Sequence, residues 1–192
     1  MRCATVSRKT NETDITLRLC LDGGEVDIKT GIGFFDHMLN AFAVHAGFGL
    51  VAKATGDLWV DAHHTVEDFG IVLGKAFSQC LDDKKGIARY GSFYVPMDES
   101  LAFACVDISG RPFLVYDAAF NGHGTGDFDV CLCEEFFRAF AFNSGITLHL
   151  KVLYGNNDHH RAEALFKATA HALKSAVRID GENILSTKGA LD

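Results

Sequence analysis

Hydrophobic positions along the chain change period in a regular order. Ile15, Leu17, Leu19 and Leu21 alternate with polar residues, the period-two pattern of a half-buried strand. Phe34, Phe35, Met38, Leu39 and Phe42 then recur at helical spacing, and Gly47 supplies a stop. A strand region is predicted from Leu50 to Val60, and a second helix from Val66, Phe69, Leu73, Ala76, Phe77 and Cys80. The same order returns further on. Leu101, Phe103 and Cys105, with Asp107 in the same phase, mark a strand. The stretch 134–144 reads as a helix and Thr147 to Leu153 as a strand. Ala162, Leu165, Phe166, Ala170, Leu173 and Val177 mark the last helix. The tail from Asn183 to Asp192 reads as a loop, and Pro96 and Pro112 both fall near strand ends.

Sequence identity between the halves strengthens this reading. His63-His64-Thr65-Val66-Glu67 and His159-His160-Arg161-Ala162-Glu163 share the pattern HHxxE, each with an acidic residue just upstream, Asp61 and Asp158. Before each copy stands a helix containing AFA with a glycine four residues later, at Gly47 and Gly145. Collinear matches at nearly equal offsets indicate a duplication over about 10–88 and 98–180. The expected fold class is therefore α+β: one domain over residues 1–192, with internally duplicated sheet-plus-two-helix halves packed as one unit.

The HHxxE copies carry the chemistry. On a helix the glutamate shares a side with both histidines, being four and three residues on, yet the two histidines diverge by about 100°. Each pair can thus serve two different ions, and imidazole with carboxylate suits manganese, iron, zinc, nickel or cobalt. One copy alone would also pass as a polar helix start; two at matching positions would not. His37 opens a helix beside Asp36, and the repeat puts Glu135 where His37 stands. The candidate ligands are His37, His63, His64 and Glu67 in one half and Glu135, His159, His160 and Glu163 in the other. Glu135 also fits an exposed carboxylate at a helix start. His45 lies on the first helix, where it can face the same pocket. His149 and His171 read as structural, and His123 as exposed in a Gly-rich loop.

Composition narrows the rest. The chain has 192 residues, 48% hydrophobic and 22% charged, which fits an ordinary folded domain and excludes global disorder. A net charge of -7 disfavours a nucleic-acid partner. No apolar run approaches the roughly 18 residues of a membrane span. The N-terminal segment has no apolar leader core, so the expected location is cytoplasmic. The six cysteines, at 3, 20, 80, 105, 131 and 133, contain no CxxC and read as reduced thiols, mostly core filler. Arg89, Arg111, Lys167 and Ser186-Thr187-Lys188 could together clamp a phosphate. Glu12, in a polar loop before the first strand, is a candidate acid/base residue, with a solvated loop carboxylate as the plainer reading.

With these residues in view the chain resembles the imidazoleglycerol-phosphate dehydratase family along its whole length. The segments that carry the resemblance include RKTNETDI, TGIGFFDHMLNAFAVH, DAHHTVEDFGIVLGKA, MDESLA, DISGRP, NNDHHRAEALFKATAHAL and STKG. The resemblance implies dehydration of imidazole glycerol phosphate to imidazole acetol phosphate in histidine biosynthesis, by two manganese ions per subunit that stabilise an imidazolate. It implies metal ligands at His37, His63, His64, Glu67, His159, His160 and Glu163, with Glu135 the eighth. Glu12, His37, His45, His63, Arg89, Arg111, His159, Lys167, Ser186, Thr187 and Lys188 would contact the substrate, and Glu12 and Glu163 would move protons. It further implies a homo-oligomer of 24 subunits built from trimers, with metal sites shared between subunits. The family often has His where Glu135 stands, Pro where Gly33 stands and Ser where Thr187 stands. Two other readings compete: a two-metal phosphohydrolase, and a metal-storage or scaffold protein.

Overall fold

A computed structural model describes residues 1–122, 124–189 and 191. His123, with its expected exposure, lies outside the described residues, as do two positions of the tail. The first half runs β1 (Cys3–Lys9), β2 (Thr13–Cys20), β3 (Val26–Lys29), α1 (Gly33–Ala46), β4 (Gly49–Gly56) and α2 (His63–Leu81). The second runs β5 (Tyr90–Met97), β6 (Ser100–Asp107), β7 (Phe113–Asp117), a small hairpin of β8 (Gly124–Thr125) and β9 (Phe128–Asp129), then α3 (Leu132–Ser144), β10 (Thr147–Tyr154) and α4 (Asp158–Ala176). The sheets are ordered β1-β2-β4-β3 and β5-β6-β10-β7. In each, three strands are antiparallel and the last pair is parallel. The topologies match strand for strand, so the α+β duplication read from the sequence is present in the fold.

The helices fill the space between the sheets. α2 packs on β1 and β2, α4 on β5 and β6, and the halves meet helix to helix, α1 on α4 and α2 on α3. Phenylalanines dominate the core: Phe35 meets Phe69 and Phe136 edge to face, with centroids 5.5 and 5.4 Å away. Phe42 and Phe140, the centres of the two AFA segments, face each other across the junction at 6.1 Å. α1 and α3 both end on a left-handed glycine, Gly47 at φ 72° and Gly145 at φ 68°, a conformation that glycine adopts without the Cβ penalty.

Several elements differ from expectation. In β6 the buried face is Ala102, Ala104 and Val106, while Leu101, Phe103 and Cys105 are only half-buried on the other face. Small side chains let α4 lie close; a side chain at neighbouring Gly91 would collide with the Ala172 carbonyl. The strand predicted to reach Val60 ends at Gly56, because Asp57 and Val60 close a turn (Val60 N to Asp57 O, 2.8 Å) that leaves Trp59 exposed. The cysteine reading needs correction. Cys3 and Cys20 stand directly opposite on β1 and β2, Cα atoms 4.1 Å apart, and form a disulfide. Their pairing depends on strand register, which a search for local spacing does not see. Cys80 and Cys133 are buried thiols, as core filler should be, with burial pushing Cys80 up to about 11; Cys131 is exposed. Among the described residues no helix is long and apolar enough to cross a membrane.

The α2–α3 contact depends on Gly70 and Gly74, one turn apart. A Cβ on Gly70 would stand 2.8 Å from the Phe136 carbonyl oxygen, and one on Gly74 would stand 2.7 Å from that of Phe140. Gly70→Ala and Gly74→Ala should each lower stability by about 1–3 kcal/mol, overriding the gain in helix propensity. Denaturant unfolding checks this; an unchanged midpoint would mean that the helices do not cross so closely.

Candidate active site

The start of α4 faces α1. Asn157 caps α4, its side chain accepting from the backbone N–H groups of His159 and His160. One turn on, the buried Glu163 carboxylate accepts from Lys167 Nζ at 2.6 Å and lies 3.1 Å from His159 Nε2 and 3.4 Å from His37 Nε2. Burial disfavours its charge, but Lys167 and the two imidazoles outweigh that and hold the carboxyl below the usual range. Phe34 packs edge-on to His159 with centroids 5.1 Å apart, fixing the ring. Ligand atoms of His37, His159 and Glu163 all lie within 4.8 Å of one another, which is close enough for one divalent ion to bind all three.

The other candidate ligands lie elsewhere in the chain. His63 Nε2 is 3.9 Å from Glu67 Oε2 on the first turns of α2. His64 meets other carboxylates than His63 does, with Nδ1 3.0 Å from Asp57 Oδ2 and Nε2 3.9 Å from Glu12 Oε1. His160 likewise meets a different carboxylate from His159, with Nδ1 2.7 Å from Glu99 Oε2. The Asp57 and Glu99 carboxylates raise the affinity of His64 and His160 for protons. Both oxygens of Glu135, on the first turn of α3, accept from Arg138 Nη1 at 2.9 and 2.8 Å. Asp57 and Glu99 were not singled out from the sequence. A signal for Glu99 was present, since it immediately precedes β6 as Glu12 precedes β2.

His45 lies two turns beyond His37 on α1, its Nδ1 3.1 Å from His171 Nε2, and Phe93 stacks on His171 at 4.4 Å. Burial pushes both imidazoles down, and nearby Lys174 adds to this.

Arg89, Arg111, Ser186, Thr187 and Lys188 do come together. With Tyr90 and Leu185 they line an open cavity of about 790 Å³. Arg89 is held by Asp107 (Nε to Oδ1 2.7 Å, Nη2 to Oδ2 3.1 Å) and donates through Nη1 to the Leu185 carbonyl at 2.7 Å, so it ties the tail to the β5–β6 sheet. Arg111 Nη2 lies 3.7 Å from Asp107 Oδ2. This pocket sits at the far end of α4, where Arg89 N donates to Ala176 O. Thirteen residues of helix separate Ala176 from Glu163, roughly 20 Å at 1.5 Å per residue. Lys167 belongs to the Glu163 end and does not line the cavity.

Fold and site together define an enzyme: a duplicated α+β sandwich with a histidine–glutamate pair at the start of one helix in each half and a cationic pocket at the end of α4. The family model described as imidazoleglycerol-phosphate dehydratase matches residues 30–173. The enzyme of that name from Acetivibrio thermocellus is 59% identical over 189 residues, covering 97% of each chain. That from Streptococcus thermophilus is 57% identical over 194 residues, covering 100% of each. Among solved structures, the Staphylococcus aureus enzyme superposes with a TM-score of 0.85 at 41% identity, covering 92% of this chain and 99% of that one. The Pyrococcus furiosus enzyme gives 0.86 at 38%, covering 97% and 100%. The chain belongs to the imidazoleglycerol-phosphate dehydratase family, hydro-lyases of histidine biosynthesis.

Arg89→Lys keeps the charge but loses the planar fork that joins Asp107 to Leu185. Hydrogen exchange over residues 184–188 should quicken while that of β6 is unchanged. Unchanged exchange in the tail would show that Arg89 does not hold it.

Proposed function

We propose that this chain removes water from imidazole glycerol phosphate to give imidazole acetol phosphate, with two manganese ions per subunit held by His37, His63, His64, Glu67, Glu135, His159, His160 and Glu163. The observation that carries the reading is the His37–His159–Glu163 cluster at the start of α4. Its two imidazoles and one carboxylate are donors that suit a divalent ion, so the residues present fit the metal. When bound, the ions supply Lewis acidity to the imidazole ring of the substrate.

The hydrogen to be removed lies beside an alcohol carbon and is barely acidic, so proton transfer needs a well-placed base. Glu12 suits that task. It is exposed in the β1–β2 loop, beside His64, and its carboxylate is not committed to another side chain within hydrogen-bonding distance among the described residues. Glu163 is the second candidate, yet Lys167 and two imidazoles already engage both of its oxygens, which favours a ligand role. Arg89, Arg111, Ser186, Thr187 and Lys188 hold the phosphate, and His37, His45, His63, His159 and Lys167 contact the rest of the substrate. The roughly 20 Å between Glu163 and the cationic pocket exceeds the reach of a three-carbon phosphate chain. That separation supports a site completed by neighbouring copies and hence a homo-oligomer, in keeping with a shell of 24 subunits built from trimers. The proposed location is cytoplasmic.

The test is turnover of imidazole glycerol phosphate after chelation, with and without manganese restored. Metal-dependent imidazole acetol phosphate is expected. Release of inorganic phosphate would favour a phosphohydrolase, and metal loading far above two per chain without turnover a storage protein. Glu12→Gln should keep the metal content and lower kcat about 10²–10⁴-fold, as removal of a general acid/base does; wild-type turnover would remove Glu12 from the mechanism. Glu135→Ala should lower metal content; an unchanged two ions per chain would make it a bystander.

A further inference from the structure

The second histidine of each HH pair has a dedicated carboxylate. His64 Nδ1 lies 3.0 and 3.2 Å from the two oxygens of Asp57, and His160 Nδ1 lies 2.7 Å from Glu99 Oε2. In both cases Nδ1 is the engaged nitrogen. A neutral imidazole that donates its Nδ1–H carries its lone pair on Nε2, the form that binds a metal. We infer that Asp57 and Glu99 are the positioning residues of the two metal sites, each fixing the ring and tautomer of the second histidine of its HHxxE motif. This rests on the proposal that those histidines are ligands.

The two carboxylates are not copies of each other. Asp57 follows the last residue of β4, and the matching position after β10 is Gly155, which has no side chain. A side chain there would collide with Ser100. Glu99 precedes β6, and the matching residue before β2 is Glu12. The halves therefore meet the same need from different loops. In the second half, glycine leaves the Asp57 position empty and Glu99 takes the task. In the first half Asp57 performs it, which leaves Glu12 free on the Nε2 side of His64. Duplication alone would have preserved one arrangement twice.

Both residues are themselves held, Glu99 through its carboxylate and Asp57 through burial and its backbone. Glu99 Oε1 accepts from the backbone N–H groups of Asn156 and Asn157, at 3.0 and 2.7 Å, and from Ser100 Oγ at 3.0 Å. Asp57 is buried at 6% exposure, and its backbone N–H donates to Glu12 O at 3.0 Å. Holding the orienting group is what a rigid ligand shell requires.

The experiment is calorimetric titration of Mn²⁺ into metal-stripped wild type, Asp57→Asn and Glu99→Gln, with thermal unfolding of each metal-free protein alongside. Both substitutions keep the side chain's size and an oxygen acceptor while removing its charge. Manganese affinity should fall about 10–100-fold in each variant, the loss typical of removing such a partner. The midpoint of metal-free unfolding should change little. Variants that bind Mn²⁺ within twofold of wild type would overturn the inference, as would an affinity loss that only accompanies a loss of folded protein. If wild type itself binds no Mn²⁺, the proposed function fails, which is a different result. Glu12→Gln serves as a contrast, since the inference expects it to leave affinity unchanged.

Discussion

Neighbouring residues on an α-helix diverge by about 100°, and the organisation of the site follows from that constraint. Two adjacent histidines at a helix start cannot aim at the same point, and in both pairs here the two rings meet different carboxylates. In the second half His159 turns in, toward Glu163 and His37, while His160 turns out toward Glu99. In the first half His63 stays on the side of Glu67, and His64 turns toward Asp57. Among its described residues a single chain thus offers one cluster of three ligands and several candidate ligands outside it.

The packing that presents these helix starts was partly legible in the sequence. Large aliphatic residues at 15, 17 and 19 all enter the core, so their alternation reported the strand correctly. The phase of β6 was obscured because its buried face is made of alanines and a valine, chosen for closeness to α4, while bulkier residues sit on the other face. β7 is a short edge strand whose exposed positions include Phe113 and Val115, so its two faces differ too little in hydrophobicity to mark it, while β3 alternates (Val26 and Ile28 against Asp27 and Lys29) over only four residues. The helices carried a stronger signal, since phenylalanine recurs on their buried faces and a glycine ends both α1 and α3.

The site followed the same division. Spacing revealed the HHxxE motifs, because their geometry is local to one helix. Asp57, Glu99 and the Cys3–Cys20 pairing were not legible, since loops and strand register bring their partners together from distant positions. The convergence of Arg89, Arg111 and the 186–188 segment could be suspected from residue type, but required the fold to establish. No spacing rule could have shown that this pocket and the Glu163 cluster occupy opposite ends of α4.

That separation is why the proposed function needs cooperation between copies. Complementation tests it directly: Glu163→Ala and Arg111→Ala chains are dissociated, mixed, reassembled with manganese and assayed against each variant reassembled alone. If sites are shared between chains, each variant alone is inactive and the mixture regains turnover, because some sites then combine an intact Glu163 from one chain with an intact Arg111 from another. A mixture that forms mixed assemblies by native mass spectrometry yet stays as inactive as its parents would place both residues' work within one chain and rule out a shared site.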